Sequence, residues 1–145
     1  MFSFRRVCFD DVRYDENVNF KLLKDVVLTE PLIVPENFDK NIAVNDYRIT
    51  GDIENNGTIT FTGYDADTVY SGNITNNGTL TLDDHNTWTS YTIQNNGTLT
   101  IKGTGDVFYH LINNITESDG AKTEIIGGKF ATNPGSLVPF GYLTE

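Results

Sequence analysis

Polar and apolar positions follow one phrase three times between residues 53 and 101. It reads Ile53-Glu-Asn-Asn-Gly-Thr-Ile-Thr-Phe61, then Ile74-Thr-Asn-Asn-Gly-Thr-Leu-Thr-Leu82, then Ile93-Gln-Asn-Asn-Gly-Thr-Leu-Thr-Ile101. The copies start 21 residues apart (53 to 74) and then 19 apart (74 to 93), and a worn fourth copy begins at Ile112-Asn113-Asn114. After each glycine the residues alternate strictly, which predicts a half-buried strand with Ile59, Leu80 and Leu99 inward and the threonines outward. A repeat of this length is one supersecondary unit that buries its apolar side only by stacking on its neighbours.

Asn-Gly is ordinarily a hairpin signal, because a type I′ turn needs positive φ at both central residues. Here the segments before it, 51–53 and 71–74, offer only short, glycine-containing partner strands. A hairpin would leave most of the following strand unpaired. If Asn-Asn-Gly instead turns a corner between two strands of one coil, all copies superpose and each strand pairs in parallel with its counterpart one coil away. The corner asparagines Asn55, Asn76 and Asn95, with Asn113 as a fourth candidate, then stack into a ladder of side-chain amides. The predicted architecture is a single-domain all-β solenoid, a parallel β-helix of about five coils.

Flanking segments extend this picture. Residues 22–36, Leu-Leu-Lys-Asp-Val-Val-Leu-Thr-Glu-Pro-Leu-Ile-Val-Pro-Glu, read as an opening coil, followed by Val44-Asn-Asp-Tyr-Arg-Ile-Thr-Gly51. Residues 126–134, Ile-Gly-Gly-Lys-Phe-Ala-Thr-Asn-Pro, followed by Phe140-Gly-Tyr142, read as a closing segment. Together with the repeated Asn-Asn-Gly-Thr phrase, these stretches resemble right-handed parallel β-helices of the pectate-lyase-like superfamily. The resemblance is to its non-enzymatic members, found in bacterial cell-surface proteins and phage fibres. It covers about residues 20–142. It implies a fold and a location on surfaces, and no specific ligand.

The division expected along the chain is an N-terminal cap or anchoring segment (1–20), coils (21–126) and a C-terminal cap (127–145). Inward candidates in the first coils are Val26, Leu28, Ile33, Val34, Ile42, Val44 and Ile49, while Pro31 and Pro35 suit corners rather than mid-strand positions. Variable excursions follow each Thr-x-Thr strand, at 63–68, 83–87 and 103–106. Trp88 aligns with Val69 and Val107, which favours an inward side chain or packing at a coil edge over an exposed sugar-binding platform.

Charge narrows the partners. Ten Lys and Arg against 20 Asp and Glu give a net charge of −10, so nucleic acid is not an expected partner. No Lys or Arg stands between Arg48 and Lys102. A single cysteine, Cys8, rules out an intrachain disulfide. Neither a secretory leader nor a membrane-spanning run is legible, which fits a virion part assembled in the host cytoplasm, with the cell surface as the alternative location.

Candidate chemistry is thin. β-Helical lyases need a basic side chain beside acidic residues, and the repeats lack it. Asp65, Asp67, Asp83 and Asp84 fall at neighbouring offsets on successive coils and are weak Ca²⁺ candidates, but turns also use Asp for local backbone bonds. His85 and His110 have no ligand or triad context. Tyr64, Tyr70 and Tyr91 are candidates for a surface ligand, such as a carbohydrate or cell-surface receptor. The aromatic-rich start, with Phe2, Phe4, Arg5, Arg6 and Phe9, is the candidate assembly contact, to identical subunits or other virion proteins. The expected function is a structural or attachment module, most simply a bacteriophage fibre, tail or capsid-decorating protein. A bacterial adhesin and a carbohydrate-active enzyme are the alternatives. No catalytic residue, cofactor or membrane insertion is expected.

Overall fold

A computed structural model describes residues 12–15, 19–45, 47–63, 70–84, 90–102, 115–127 and 133–139. The chain forms a parallel β-solenoid of about four turns, close to the five coils expected from the repeat. Two sheets face each other across one core. The first contains β1 (Val12–Asp15), β2 (Asn19–Leu22), β5 (Asp39–Asn45), β8 (Thr58–Gly63), β10 (Thr79–Asp84), β12 (Thr98–Lys102) and β14 (Lys122–Ile125), in that spatial order. The second contains β3 (Val26–Val27), β4 (Leu32–Val34), β6 (Ile49–Thr50), β7 (Ile53–Asn55), β9 (Tyr70–Asn76), β11 (Ser90–Asn95) and β13 (Ile115–Glu117). Each turn passes from a strand of the second sheet, round a corner, into a strand of the first.

Register follows the repeat. Leu80 lies opposite Ile59 on one side and Leu99 on the other, and Leu82 opposite Phe61 and Ile101. All six side chains are buried, and so are Ile53, Ile74 and Ile93, which stack from the facing sheet. The inward alternation read from the sequence therefore holds through the three clear copies. Burying a side chain of this size contributes about 1.5–3 kcal/mol, so a stack of this kind dominates stability.

The corner glycines are required for a reason other than the hairpin geometry their sequence advertises. A Cβ at Gly57, Gly78 or Gly97 would lie closer than 3.0 Å to the carbonyl oxygen of Pro35, Gly57 or Gly78 respectively, in the preceding coil. Backbones stack at the corner without room for a side chain. The amides there bond straight down the stack: Asn77 N–H to Asn55 O at 2.8 Å, Asn96 N–H to Asn76 O at 2.8 Å, and Thr79 N–H to Gly57 O at 2.8 Å. Gly51 (φ +125°) separates β6 from β7 where β9, one coil on, is continuous, and a Cβ there would meet Leu28 Cβ at 2.6 Å.

Three expectations need correction. Ile33 is not inward: it is 48% exposed, whereas Leu32 and Val34 are buried. An unbroken apolar run gives periodicity nothing to choose between. The fourth copy does not start at Ile112, since Ile115 is the residue paired with Ile93, 22 residues on. Its corner carries two extra residues, because Ser118 N–H bonds Asn95 O while Lys122 N–H bonds Gly97 O. Finally, Asp83 and Asp84 belong to strand β10 rather than to the excursion after it.

The ends differ. At the N-terminal end β1 pairs antiparallel with β2, and Phe20 stacks on Phe38 with ring centroids 6.0 Å apart. At the C-terminal end a short 3₁₀ turn (Gly135–Leu137) follows buried Pro134, and Leu137 and Val138 pack on the core.

Candidate functional site

The polar side chains of the corners form two ladders. In the inner one, Asn55, Asn76 and Asn95 are wholly buried. Asn55 Nδ2 donates to Asn76 Oδ1 at 2.8 Å, Asn76 Nδ2 to Asn95 Oδ1 at 2.8 Å, and Asn95 Nδ2 to Thr123 Oγ1 at 3.1 Å. Each Nδ2 also reaches the carbonyl that opens the next coil's strand: Thr79 O, Thr98 O and Lys122 O. Asn55 Oδ1 and Asn95 Oδ1 accept the N–H of Gly57 and Gly97. Buried amides are thus satisfied, as burial demands. Thr123 ends the ladder; Asn113 lies outside the described residues.

The outer ladder runs along the solvent side. Asn77 Nδ2 donates to Asn56 Oδ1 at 2.8 Å and Asn96 Nδ2 to Asn77 Oδ1 at 2.7 Å. Glu54 Oε1 accepts from Asn56 Nδ2 at one end, and Gln94 Nε2 donates to Asn96 Oδ1 at the other. A third chain crosses the second sheet: Asn73 gives its N–H to Asp52 Oδ1 at 2.9 Å and accepts from Thr92 Oγ1 at 2.6 Å.

The first sheet presents two columns of three threonines, Thr58, Thr79, Thr98 and Thr60, Thr81, Thr100, all half-buried. Asp39 and Asn41 stand in register before them, Lys122 and Glu124 after them. The last two form an ion pair of 2.8 Å. Beside the threonines, Asp83 meets Lys102 of the following coil at 2.9 Å. That cation completes Asp83 where the sequence showed only an acidic stretch, because register joins residues 19 apart (83 to 102). Among the described residues no three His, Cys, Asp or Glu side chains cluster closely enough to hold a metal ion.

Of the sequence-predicted site residues, Tyr70 lies in β9, Tyr91 in β11 and Asp84 at the end of β10. Phe2, Phe4, Arg5, Arg6, Phe9, Tyr64, Asp65, Asp67, His85, Trp88 and His110 fall outside the described residues. No helix of the described chain is long and apolar enough to cross a membrane. A scan against protein-family models finds no match, and comparisons with curated proteins and with solved structures likewise find none.

Proposed function

We propose that this protein is a structural or attachment module, a virion component such as a bacteriophage fibre, tail or capsid-decorating protein. The observation that carries this reading is the buried asparagine ladder. It cross-bonds successive coils into one rod, and its polar groups are engaged with other coils rather than gathered around a ligand. Rods of stacked coils suit spacing and display, since each coil contacts only its neighbours and the stack grows along one direction. The resemblance to β-helical surface proteins points the same way. The module is anchored through the segment before Val12, which carries Phe2, Phe4 and Phe9, and its coil faces meet a carbohydrate or cell-surface receptor.

The test is to locate the chain in its native source. Purified particles, cell envelope and soluble fractions are probed by quantitative mass spectrometry, with cross-linking to identify neighbours. A fixed, integral copy number per particle is expected. Recovery in the envelope alone would place the protein among adhesins, and recovery as a free soluble chain would defeat the structural role. Deleting residues 1–11, which spares β1, is expected to keep the β-rich circular dichroism and abolish incorporation.

A further inference from the structure

The N-terminal edge of the second sheet is built differently from every later rung. Strands β3 and β4 form this edge, and among the described residues no strand pairs with their outer side, whereas the first sheet has β1 at the same end. Val26 N–H bonds Arg48 O, Leu28 N–H bonds Thr50 O, Leu32 N–H bonds Asp52 O, and Val34 O accepts Asn56 N–H. Alternation then turns the N–H and C=O of Val27 and Ile33 to the open edge. Those same two residues are the most exposed large apolar side chains of the described chain, at 71% and 48%. In later coils the matching register positions are polar: Thr50, Ser71 and Ser90 follow Val27, and Glu54, Thr75, Gln94 and Thr116 follow Ile33. At the far end of the sheet β13 likewise has no strand on its outer side among the described residues, yet it carries Thr116, so within these two columns the apolar side chains stand at the N-terminal edge alone.

We infer that this edge is the contact between two copies of the chain, joined about a two-fold axis at Ile33. Self-pairing is favoured over a longer foreign strand by the flanking prolines. Pro31 and Pro35 bracket β4 and have no N–H to donate, so the edge supports a three-residue strand and no extended ladder. An antiparallel two-fold sets Ile33 opposite Ile33 of the second copy, each giving its N–H to the other's C=O. Val27 and the 42%-exposed Leu23 lie on the same coil and extend the apolar margin. Head-to-tail stacking is disfavoured because Leu137 and Val138 already pack on the C-terminal end of the core. An isologous contact closes at two copies and so avoids fibres. The inference rests on the structural role proposed above and names the end through which it is exercised.

Analytical ultracentrifugation of the full chain tests it. A dimer is expected at about 100 µM, dissociating toward about 1 µM as small interfaces do. Val27→Lys and Ile33→Lys are each expected to abolish the dimer while circular dichroism and Tm stay close to the parent, and Ile33→Thr, which copies the later rungs, to weaken it at least tenfold. Thr116→Lys, in the same column at the far end, should leave the dimer unchanged. In a Cys8→Ser background, Ile33→Cys should be joined by a short bismaleimide and Thr116→Cys should not. A parent chain monomeric at every concentration, or a dimer indifferent to Val27→Lys and Ile33→Lys, overturns the contact. A chain found in particles yet monomeric alone overturns this contact and leaves the structural role standing. A dimer broken at Ile33 in a chain absent from particles upholds the contact and sinks the role.

Discussion

Asn76 is the middle rung of the inner ladder, and its removal is the most direct test of what holds the coils together. Its side chain accepts from Asn55 at 2.8 Å, donates to Asn95 at 2.8 Å and donates to Thr98 O at 2.9 Å, with no exposure to water. Asn76→Ala deletes all three bonds and leaves a small cavity. A buried hydrogen bond contributes about 1 kcal/mol net, and each group left without its partner in the interior costs about 1–3 kcal/mol. Part of that penalty is relieved, because Asn55 Nδ2 keeps Thr79 O and Asn95 Oδ1 keeps the Gly97 N–H. The expected loss is about 3–5 kcal/mol, a large share of the roughly 5–15 kcal/mol by which domains are stable.

Asn77→Ala is the matched control. It removes two ladder bonds of nearly the same length, 2.8 and 2.7 Å, at an exposed position where water replaces them. Its expected cost is below about 1 kcal/mol. Urea unfolding followed by circular dichroism separates the two, provided the slope m is unchanged, so that the midpoint reports stability alone. Equal costs for Asn76→Ala and Asn77→Ala would refute the claim that burial, rather than bond count, makes the inner ladder matter.

Three further outcomes follow. Gly78→Ala should unfold the repeats, since its methyl group would collide with Gly57 O, whereas Gly120→Ala, in open space at φ +83°, should cost about 1 kcal/mol; thermal melts compare them. Leu80→Asp, placing a charge in the core, should abolish the folded spectrum, while Thr79→Asp on the outer face should remain folded. Millimolar Ca²⁺ should leave Tm unchanged, and Asp83→Asn should cost under about 1 kcal/mol, as expected for an exposed pair with Lys102; a Ca²⁺-dependent rise in Tm lost in Asp83→Asn would restore the metal reading.

The repeat made the fold legible because register and periodicity act together there. Once Ile59, Leu80 and Leu99 are aligned by the Asn-Asn-Gly phrase, their shared inward direction and the stacking of Asn55, Asn76 and Asn95 are fixed by geometry. Outside the phrase that leverage is lost. Leu32-Ile33-Val34 is apolar throughout, so only the register, with Leu32 and Val34 opposite buried Ile53 and Asn55, shows which residues face the core. In the fourth copy Ile115 rather than Ile112 lies opposite Ile93, and the corner that follows, from Ser118 to Lys122, is two residues longer and lacks the Asn-Asn-Gly phrase that aligns the other three. The pairing of Asp83 with Lys102 was hidden for a different reason: charge read along the chain says nothing about charge one coil away.

The two asparagine ladders also run in opposite senses, and the backbone dictates why. Inner amides must send Nδ2 forward, because the carbonyls Thr79 O, Thr98 O and Lys122 O lie ahead of them, while the Gly57 and Gly97 amides require Oδ1 as acceptor. The outer ladder is set from its first rung: the Glu54 carboxylate accepts only from Asn56 Nδ2, which leaves Asn56 Oδ1 to receive Asn77. Donors therefore point toward the C-terminal end inside and toward the N-terminal end outside. Hydrogen bonds in a chain polarise one another, so each ladder strengthens along its own direction, most within the buried one. The Asn-Asn pair thus divides its work: the first asparagine satisfies the buried corner, and the second hydrogen-bonds from coil to coil along its solvent side.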